Sequence, residues 1–466
     1  MKYILVIILA SMCELGIHSL NKDQHAKHKL PMDTTNFDEL ANSKTFIDKT
    51  LMIKEVFKSP HHTNLILAPR KFGKTSNMNM IKRFCEIEVD ENGNSIDKTL
   101  ASSYNLFKSK NLKIFRDEAF VKDHFSSYAV LHLDYSTLQN IDSYDQLMEM
   151  LIVLISKTYS EHKYLLNNES LWDGFEKGLF QSYVSAQENH KDHNTHILTS
   201  LKWLCEILHK HFGKKVLVLI DEFDAYVYSA IFNDSKGIDK IMKLMIEIDG
   251  YLLKPNDHIT KVLLTGTLKI FREDMDEDIR TYHFLENHPF SPYYGVTRND
   301  LDNVLSKLVG NCGEKYKLLN FIMSYYGNYK IYSEDDTVTE IFNMWPAINY
   351  AITGAQPVDY FVGEHLLPGF KKIFRAQQIK EELQALILGE ARPVERFAAF
   401  KEDDIRTLNY ITKSYICPPS GDKVFLRLLY SFGYLTQVKN DEGMLLEEFR
   451  VPNNETESEL MRYTPV

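Results

Sequence analysis

Four short apolar runs punctuate the first part of the chain: Asn64–Leu67, Tyr128–Asp134, Lys215–Asp221 and Thr260–Leu264. Each is rich in β-branched residues or Leu and is bounded by polar or turn-forming residues, which predicts strands. The runs do not alternate apolar with polar, so both faces of each strand are expected to be buried. Between them lie longer stretches with helical apolar spacing, at Ser76–Glu88, Tyr144–Tyr159, Thr199–His211 and Lys236–Leu252. Strands alternating with helices predict parallel βαβ units, hence an α/β fold with helices on both faces of a parallel sheet. After Asn287–Pro292 the pattern becomes mainly helical, at Arg298–Leu308, Lys315–Met323, Thr337–Ile352 and Gln378–Ile387, followed by a β-rich patch at Val424–Lys439. These shifts place a boundary near residue 290, dividing a core at 21–290 from a region at 291–466. Asp90–Lys98 and Ala186–His196 read as solvated loops.

Composition narrows the class. The chain has 466 residues, with 54 Lys+Arg against 64 Asp+Glu and a net charge of −10. Its 44% hydrophobic and 25% charged content excludes wholesale disorder and collagen-like or coiled-coil chains. The acidic balance argues against nucleic acid as a partner. Five Cys, none in a close pair, exclude a disulfide-dense scaffold and a four-Cys zinc site. Residues Met1–Leu20 follow the order of a signal peptide: Lys2, an apolar run from Tyr3 to Ala10, then small residues at Ser11, Gly16 and Ser19. The competing readings are a short anchor and an N-terminal strand. The run falls short of the roughly 20 residues a spanning helix needs, and no other run is apolar enough. The expectation is therefore a mature chain without a membrane span, secreted or in the secretory-pathway lumen. Three glycosylation triplets, beginning at Asn168, Asn233 and Asn454, agree with that compartment.

The first predicted strand runs into Ala68-Pro69-Arg70-Lys71-Phe72-Gly73-Lys74-Thr75-Ser76, and a helix follows. Ala68–Thr75 aligns with the phosphate-loop pattern G-x-x-x-x-G-K-[ST]. Gly73 lets backbone N–H groups approach phosphates, Lys74 sets a cation on the outer phosphates, and the Thr75 hydroxyl is suited to Mg²⁺. Ala68 departs from the pattern, which asks for Gly. If that position requires a positive φ, the departure costs roughly 1 kcal/mol or more.

A second half of the site comes from Lys214–Tyr226, KKVLVLIDEFDAY. An Asp at a strand's C-terminal end, here Asp221, suits a Mg²⁺ shell, and the adjacent Glu222 is positioned to polarise water. Strand alternation would send the two carboxylates to opposite sides. A third strand ends in Thr265-Gly266-Thr267, where Thr265 is a candidate sensor of the terminal phosphate. Arg272 and Arg280 read more simply as surface arginines than as arginine fingers. Asp134 reads as a strand-end cap or a second acid near the phosphates. His190, His193 and His196 recur in a polar loop and read as solvated rather than as metal ligands. The central expectation is that the Lys74 amine and the Asp221 carboxylate converge on one cavity at neighbouring strand tips.

These segments resemble the AAA-ATPase-like family of the P-loop fold. The resemblance is carried by Thr45–Phe57, by Ala68–Phe84 with its P-R-x-F-G-K-T, by Tyr128–Ser136, by Val216–Asp224 and by Leu263–Phe271. Beyond the core, Tyr293–Leu301, Ser324–Tyr332, Met344–Ile352 and Phe425–Thr436 resemble the helical, winged-helix-like portion of that family, which would form a lid. The resemblance implies ATP and Mg²⁺ as ligands. It also implies nucleotide contacts from Ala68 to Ser76 and from Thr265, metal contacts from Thr75 and Asp221, and catalytic roles for Lys74 and Glu222. Relatives often carry a C-terminal PD-(D/E)xK nuclease-like domain. No Lys follows Lys439, so no such triad is expected in this tail. Two functions stay open: a Mg²⁺-dependent ATPase in the secretory pathway, and a secreted, inactive ATPase-fold protein that binds an unknown protein partner.

Overall fold

In the computed structural model the described residues are 34–185, 194–233, 237–271, 278–333, 335, 337–353, 370–439 and 445–464. The signal-peptide reading of Met1–Leu20, His190 and His193 lie outside them, as does Arg272, whereas His196, expected in a solvated loop, belongs to the helix that begins at Asn194.

The core follows the alternation read from the sequence. A short helix α1 (Phe37–Asn42) precedes β1 (Thr63–Leu67) and α2 (Lys74–Cys85). Then come β2 (Ala129–Asp134), α3 (Tyr144–Glu161), α4 (Asn194–Phe212), β3 (Val216–Asp221), α5 (Ala225–Phe232), α6 (Ile238–Leu253), β4 (Ile259–Gly266) and β5 (Ile279–Tyr282). The five strands form one parallel sheet in the order β2-β3-β4-β1-β5. Every residue of β1 and β3 is buried, as their unbroken apolar character requires. The strand β5 escapes a reading by apolar runs because it has four residues, IRTY, with Arg280 exposed at the sheet edge.

The rest of the chain is mainly helical, with two small antiparallel sheets. It begins with β6 (Val296–Thr297), α7 (Arg298–Leu308), α8 (Cys312–Tyr326), β7 (Tyr329–Tyr332), β8 (Val338–Phe342) and α9 (Met344–Thr353). It continues with α10 (Gln377–Ile387), β9 (Arg392–Pro393), α11 (Glu402–Ser414), α12 (Gly421–Ser431), β10 (Thr436–Lys439), β11 (Leu445–Arg450) and α13 (Asn454–Tyr463). The sheets run β6-β8-β7 and β10-β11-β9.

Two segments differ from their expected structure. Thr337–Ile352 is not one helix: the β-branched start pairs as β8, and Asn343 ends it by accepting the Trp345 N–H at 3.1 Å. Val424–Lys439 is β only in its last four residues. Val424, Phe425, Leu428 and Leu429 form a helical stripe, and they pack as the buried face of α12.

One hydrophobic core runs from Phe37 to Leu460, so core and C-terminal region share it. A smaller cluster around Leu301, Ile322, Phe342 and Tyr350 lies under α7, α8 and α9, and Ile47 from the N-terminal segment packs on it.

Candidate functional site

The segment Ala68–Gly73 links the C-terminal end of β1 to the first turn of α2. Two of its residues adopt left-handed backbone, Lys71 at φ 66° and Gly73 at φ 91°. Ala68 does not, so the missing first glycine carries no backbone strain. The Ala68 N–H donates to the Gly266 carbonyl at 3.0 Å, continuing the β1–β4 pairing.

Lys74 is buried, and its Nζ turns back into the loop. It donates to the carbonyls of Ala68 at 3.0 Å and Pro69 at 3.2 Å and to Thr267 Oγ1 at 3.4 Å, and it lies 3.4 Å from Glu222 Oε1. Asp221 ends β3 and accepts hydrogen bonds from the Thr265 and Thr75 hydroxyls. The Lys74 amine and the Asp221 carboxylate therefore lie close together, but not at neighbouring strand tips, since β4 lies between β1 and β3, and Asp221 is buried rather than among the residues lining the cavity. Thr265 stands beside Asp221 because it is on that intervening strand.

Glu222 reaches Lys74 by a different route from the one read off strand alternation. It lies outside β3 in left-handed backbone, φ 50°, and this turn aims its carboxylate at the ammonium. Its Oε2 is buried with no hydrogen-bond partner. Asp224, which the sequence reading passed over, is fully buried. Its Oδ2 accepts from the N–H groups of Thr267 at 3.1 Å and Leu268 at 2.7 Å and from the Tyr228 hydroxyl at 2.8 Å. Gly266 permits this approach, since a Cβ there would lie 2.8 Å from Asp224 Oδ1. The only sequence signal for this pair was the acid three residues after Asp221, facing the Gly of T-G-T.

The electrostatics follow from burial. Loss of water lifts the Asp221 carboxyl from its usual 3.8 to about 6, with the nearby Glu222 adding to the effect. The Thr265 and Thr75 hydroxyls and Lys74 oppose the lift. Burial likewise raises Asp224. Glu222 thus pairs with the one ammonium, with Asp221 and Asp224 close by.

A cavity of about 570 Å³ opens over this cluster. Arg70, Lys71, Gly73, Lys74, Thr75 and Ser76 line it, with Asp134 and Glu222. Arg70 donates to Gln139 Oε1 at 2.8 Å, and the Lys71 ammonium lies 4.2 Å from the Trp345 ring centre. Phe72 turns the other way, into the C-terminal region, between Phe284 and Tyr329 at 4.9 and 5.5 Å. Pro69 also faces away from the cavity, against Gly433. Asp134 caps the turn after β2 by accepting from the Ser136 N–H at 2.9 Å, and it also faces the cavity. Arg280 does not reach the site; it lies over Tyr282 at the sheet edge. Among the described residues no group of three or more His, Cys, Asp or Glu is arranged to hold a metal. The oxygen donors Thr75 and Asp221 nonetheless match the preference of Mg²⁺ for a few hard protein ligands. Cys85, Cys205, Cys312 and Cys417 are all free thiols.

A five-stranded parallel sheet flanked by helices, with a phosphate-loop segment between its first strand and helix α2, defines a P-loop-like α/β protein with a helical C-terminal region. The family described as "Predicted AAA-ATPase" matches residues 31–276, and the chain belongs to this AAA-ATPase-like family. A search among curated proteins finds no match. Among the described residues no helix is long and apolar enough to cross a membrane.

Proposed function

We propose that the chain binds ATP with Mg²⁺ over the Lys74–Asp221–Glu222 cluster and hydrolyses it. The observation that supports this reading is the closeness of one buried ammonium to Asp221 at the end of β3 and Glu222 in the turn after it, beside a cavity lined by the loop. Lys74 exchanges the Ala68 and Pro69 carbonyls for phosphate oxygens, and the backbone N–H groups at the start of α2 face the same anion. Thr75 and Asp221 hold the cation. Mg²⁺, when bound, neutralises charge on the phosphate oxygens. Glu222 orients and deprotonates the attacking water, and its unpartnered Oε2 is the atom for that proton. Asp224 positions Thr267 and the backbone after β4.

The test is ATP-dependent thermal stabilisation with Mg²⁺ in wild type and Lys74→Ala. At about a hundredfold excess over Kd, binding adds about 2.7 kcal/mol to wild type. Equal responses, or none in either protein, remove the reading. Steady phosphate release that Glu222→Gln abolishes supports hydrolysis; binding without release favours the inactive scaffold with a protein partner. For the compartment, the motif at Met1–Leu20 supports passage into the secretory pathway, and N-terminal sequencing of the mature protein tests it.

A further inference from the structure

The three glycosylation triplets sit in different settings. Asn233 follows α5 and is half-buried. Its amide nitrogen donates to the Ile141 carbonyl at 3.3 Å, and its main-chain carbonyl accepts from Asn409 of α11 at 3.0 Å. Asn168 is half-buried too. Its Oδ1 accepts from the Ser170 N–H at 3.2 Å and the Ser170 hydroxyl at 2.7 Å, and its amide nitrogen lies 3.2 Å from His211 Nδ1. His211 Nε2 stands 2.8 Å from the Gly93 carbonyl and so carries the ring proton, which leaves Nδ1 to accept from Asn168. Both amides therefore tie separate segments of the chain together. Asn454 differs on each count. It is exposed, and it is the first residue of α13. Helical side chains lean towards the N-terminus, and at the first position no earlier turn lies beneath them, so this one projects past the helix end. The capping role is already filled by Asn453, whose Oδ1 accepts from the Thr456 N–H at 3.1 Å and whose amide donates to the Gly327 carbonyl at 2.9 Å. Among the described residues no hydrogen bond engages the Asn454 side chain. Resting on the secretory-pathway reading above, we propose that Asn454 is the N-glycosylation site occupied in the folded protein, and that Asn168 and Asn233 stay unmodified there.

In the transfer, Asn454 Nδ2 bonds to the anomeric carbon of an oligosaccharide carried on a polyprenyl pyrophosphate. The bond from that carbon to the pyrophosphate oxygen breaks, the lipid pyrophosphate leaves with the electron pair, and one amide proton passes to a base of the transferase. The transferase also requires the hydroxyl at the third position of the triplet. In the fold the Thr456 hydroxyl is wholly buried and donates to the Asn453 carbonyl at 3.0 Å. Transfer therefore precedes the docking of α13, and the sugar then stands in solvent at the helix end without displacing a contact. A sugar on Asn233 or Asn168 would have to leave a half-buried amide, at the expense of the bond to Ile141 or to His211. Chains modified there fold less well and are depleted from the folded product.

The experiment is expression of the full chain in eukaryotic secretory cells, in one arm with its own Met1–Leu20 and in the other with a signal peptide of known activity in their place. The folded protein is treated with an amidase that removes the glycan and converts the linked Asn to Asp, and its peptides are read by mass spectrometry. Conversion is expected at Asn454 alone. The matching single step in gel mobility is expected to vanish in Asn454→Gln and to persist in Thr456→Ser, which keeps the hydroxyl. Thermal unfolding of Asn454→Gln should match that of deglycosylated wild type, because the amide makes no contact that the substitution removes. Conversion at Asn168 or Asn233, or none at Asn454 in the chain with the known signal peptide, overturns the site. The compartment reading fails separately: conversion at Asn454 with the substituted signal peptide but not with Met1–Leu20 keeps the site and removes passage into the secretory pathway.

Discussion

Replacing Asp221 by Asn removes a buried negative charge while keeping an oxygen for the Thr75 and Thr265 hydroxyls. In the fold Asp221 holds its proton more tightly than in the unfolded chain, about 6 against 3.8. Stability attributable to this group is therefore greatest below 3.8 and is lost as pH rises towards 6, after which the loss is constant. At ~1.4 kcal/mol for each pH unit between the two values, ionising Asp221 costs the metal-free protein about 3 kcal/mol at neutral pH. The assay is urea unfolding of wild type and Asp221→Asn in chelator at pH 4, 5, 6 and 8. The Asn variant is expected to match wild type near pH 4, to gain on it through pH 6, and to lead by a constant margin of about 3 kcal/mol or somewhat less at pH 8. Adding Mg²⁺ at pH 8 then stabilises wild type and not the variant. A variant less stable than wild type at pH 8, or a margin independent of pH, refutes the picture of a desolvated carboxylate waiting for a cation.

Other substitutions probe the surroundings of the loop. Gly433→Ala sets a Cβ 2.9 Å from Pro69 Cγ at a φ of 83°, and is expected to cost about 1–3 kcal/mol in urea unfolding. It should also weaken nucleotide binding, because Pro69 must shift. Lys49→Met leaves the Asp300 carboxylate without its ammonium in a largely buried setting, a loss on the order of 3 kcal/mol measurable by denaturation. Glu222→Gln should retain ATP-dependent thermal stabilisation while phosphate release falls roughly 10²–10⁴-fold, the usual range for a lost general base.

The parts legible in the sequence are those encoded over a few neighbouring residues. The strands β1 to β4 were marked by apolar runs closed by turn residues, and each lies within two residues of its expected bounds at nearly every end. The placement of Gly73, Lys74 and Thr75 after β1 and of Asp221 and Glu222 at the end of β3 was equally local. Long-range relations were not legible. Nothing in the run Thr260–Leu264 says that β4 inserts between β1 and β3, since strand order depends on crossovers rather than on composition. The left-handed turn at Glu222 is imposed by the connection into α5, so alternation along β3 gave the wrong reason for its direction. The α9 wall of the cavity lies some 270 residues from the loop, as the separation of Lys71 and Trp345 illustrates. Its residues, among them Ile348, look like ordinary helix positions until the fold brings them to line the same cavity as Phe46.

Phe72 sits in the middle of the phosphate loop yet is wholly shielded by aromatic side chains, one of them, Tyr329, from the C-terminal region, while the neighbouring Gly295 N–H donates to its carbonyl at 2.9 Å. Tyr329 in turn donates its hydroxyl to the Gly433 carbonyl at 2.7 Å, and Gly433 abuts Pro69. The loop is thus a shared wall between two halves of the molecule. A fragment ending at residue 276 would lose both Phe284 and Tyr329 and leave the Phe72 ring without its two aromatic neighbours.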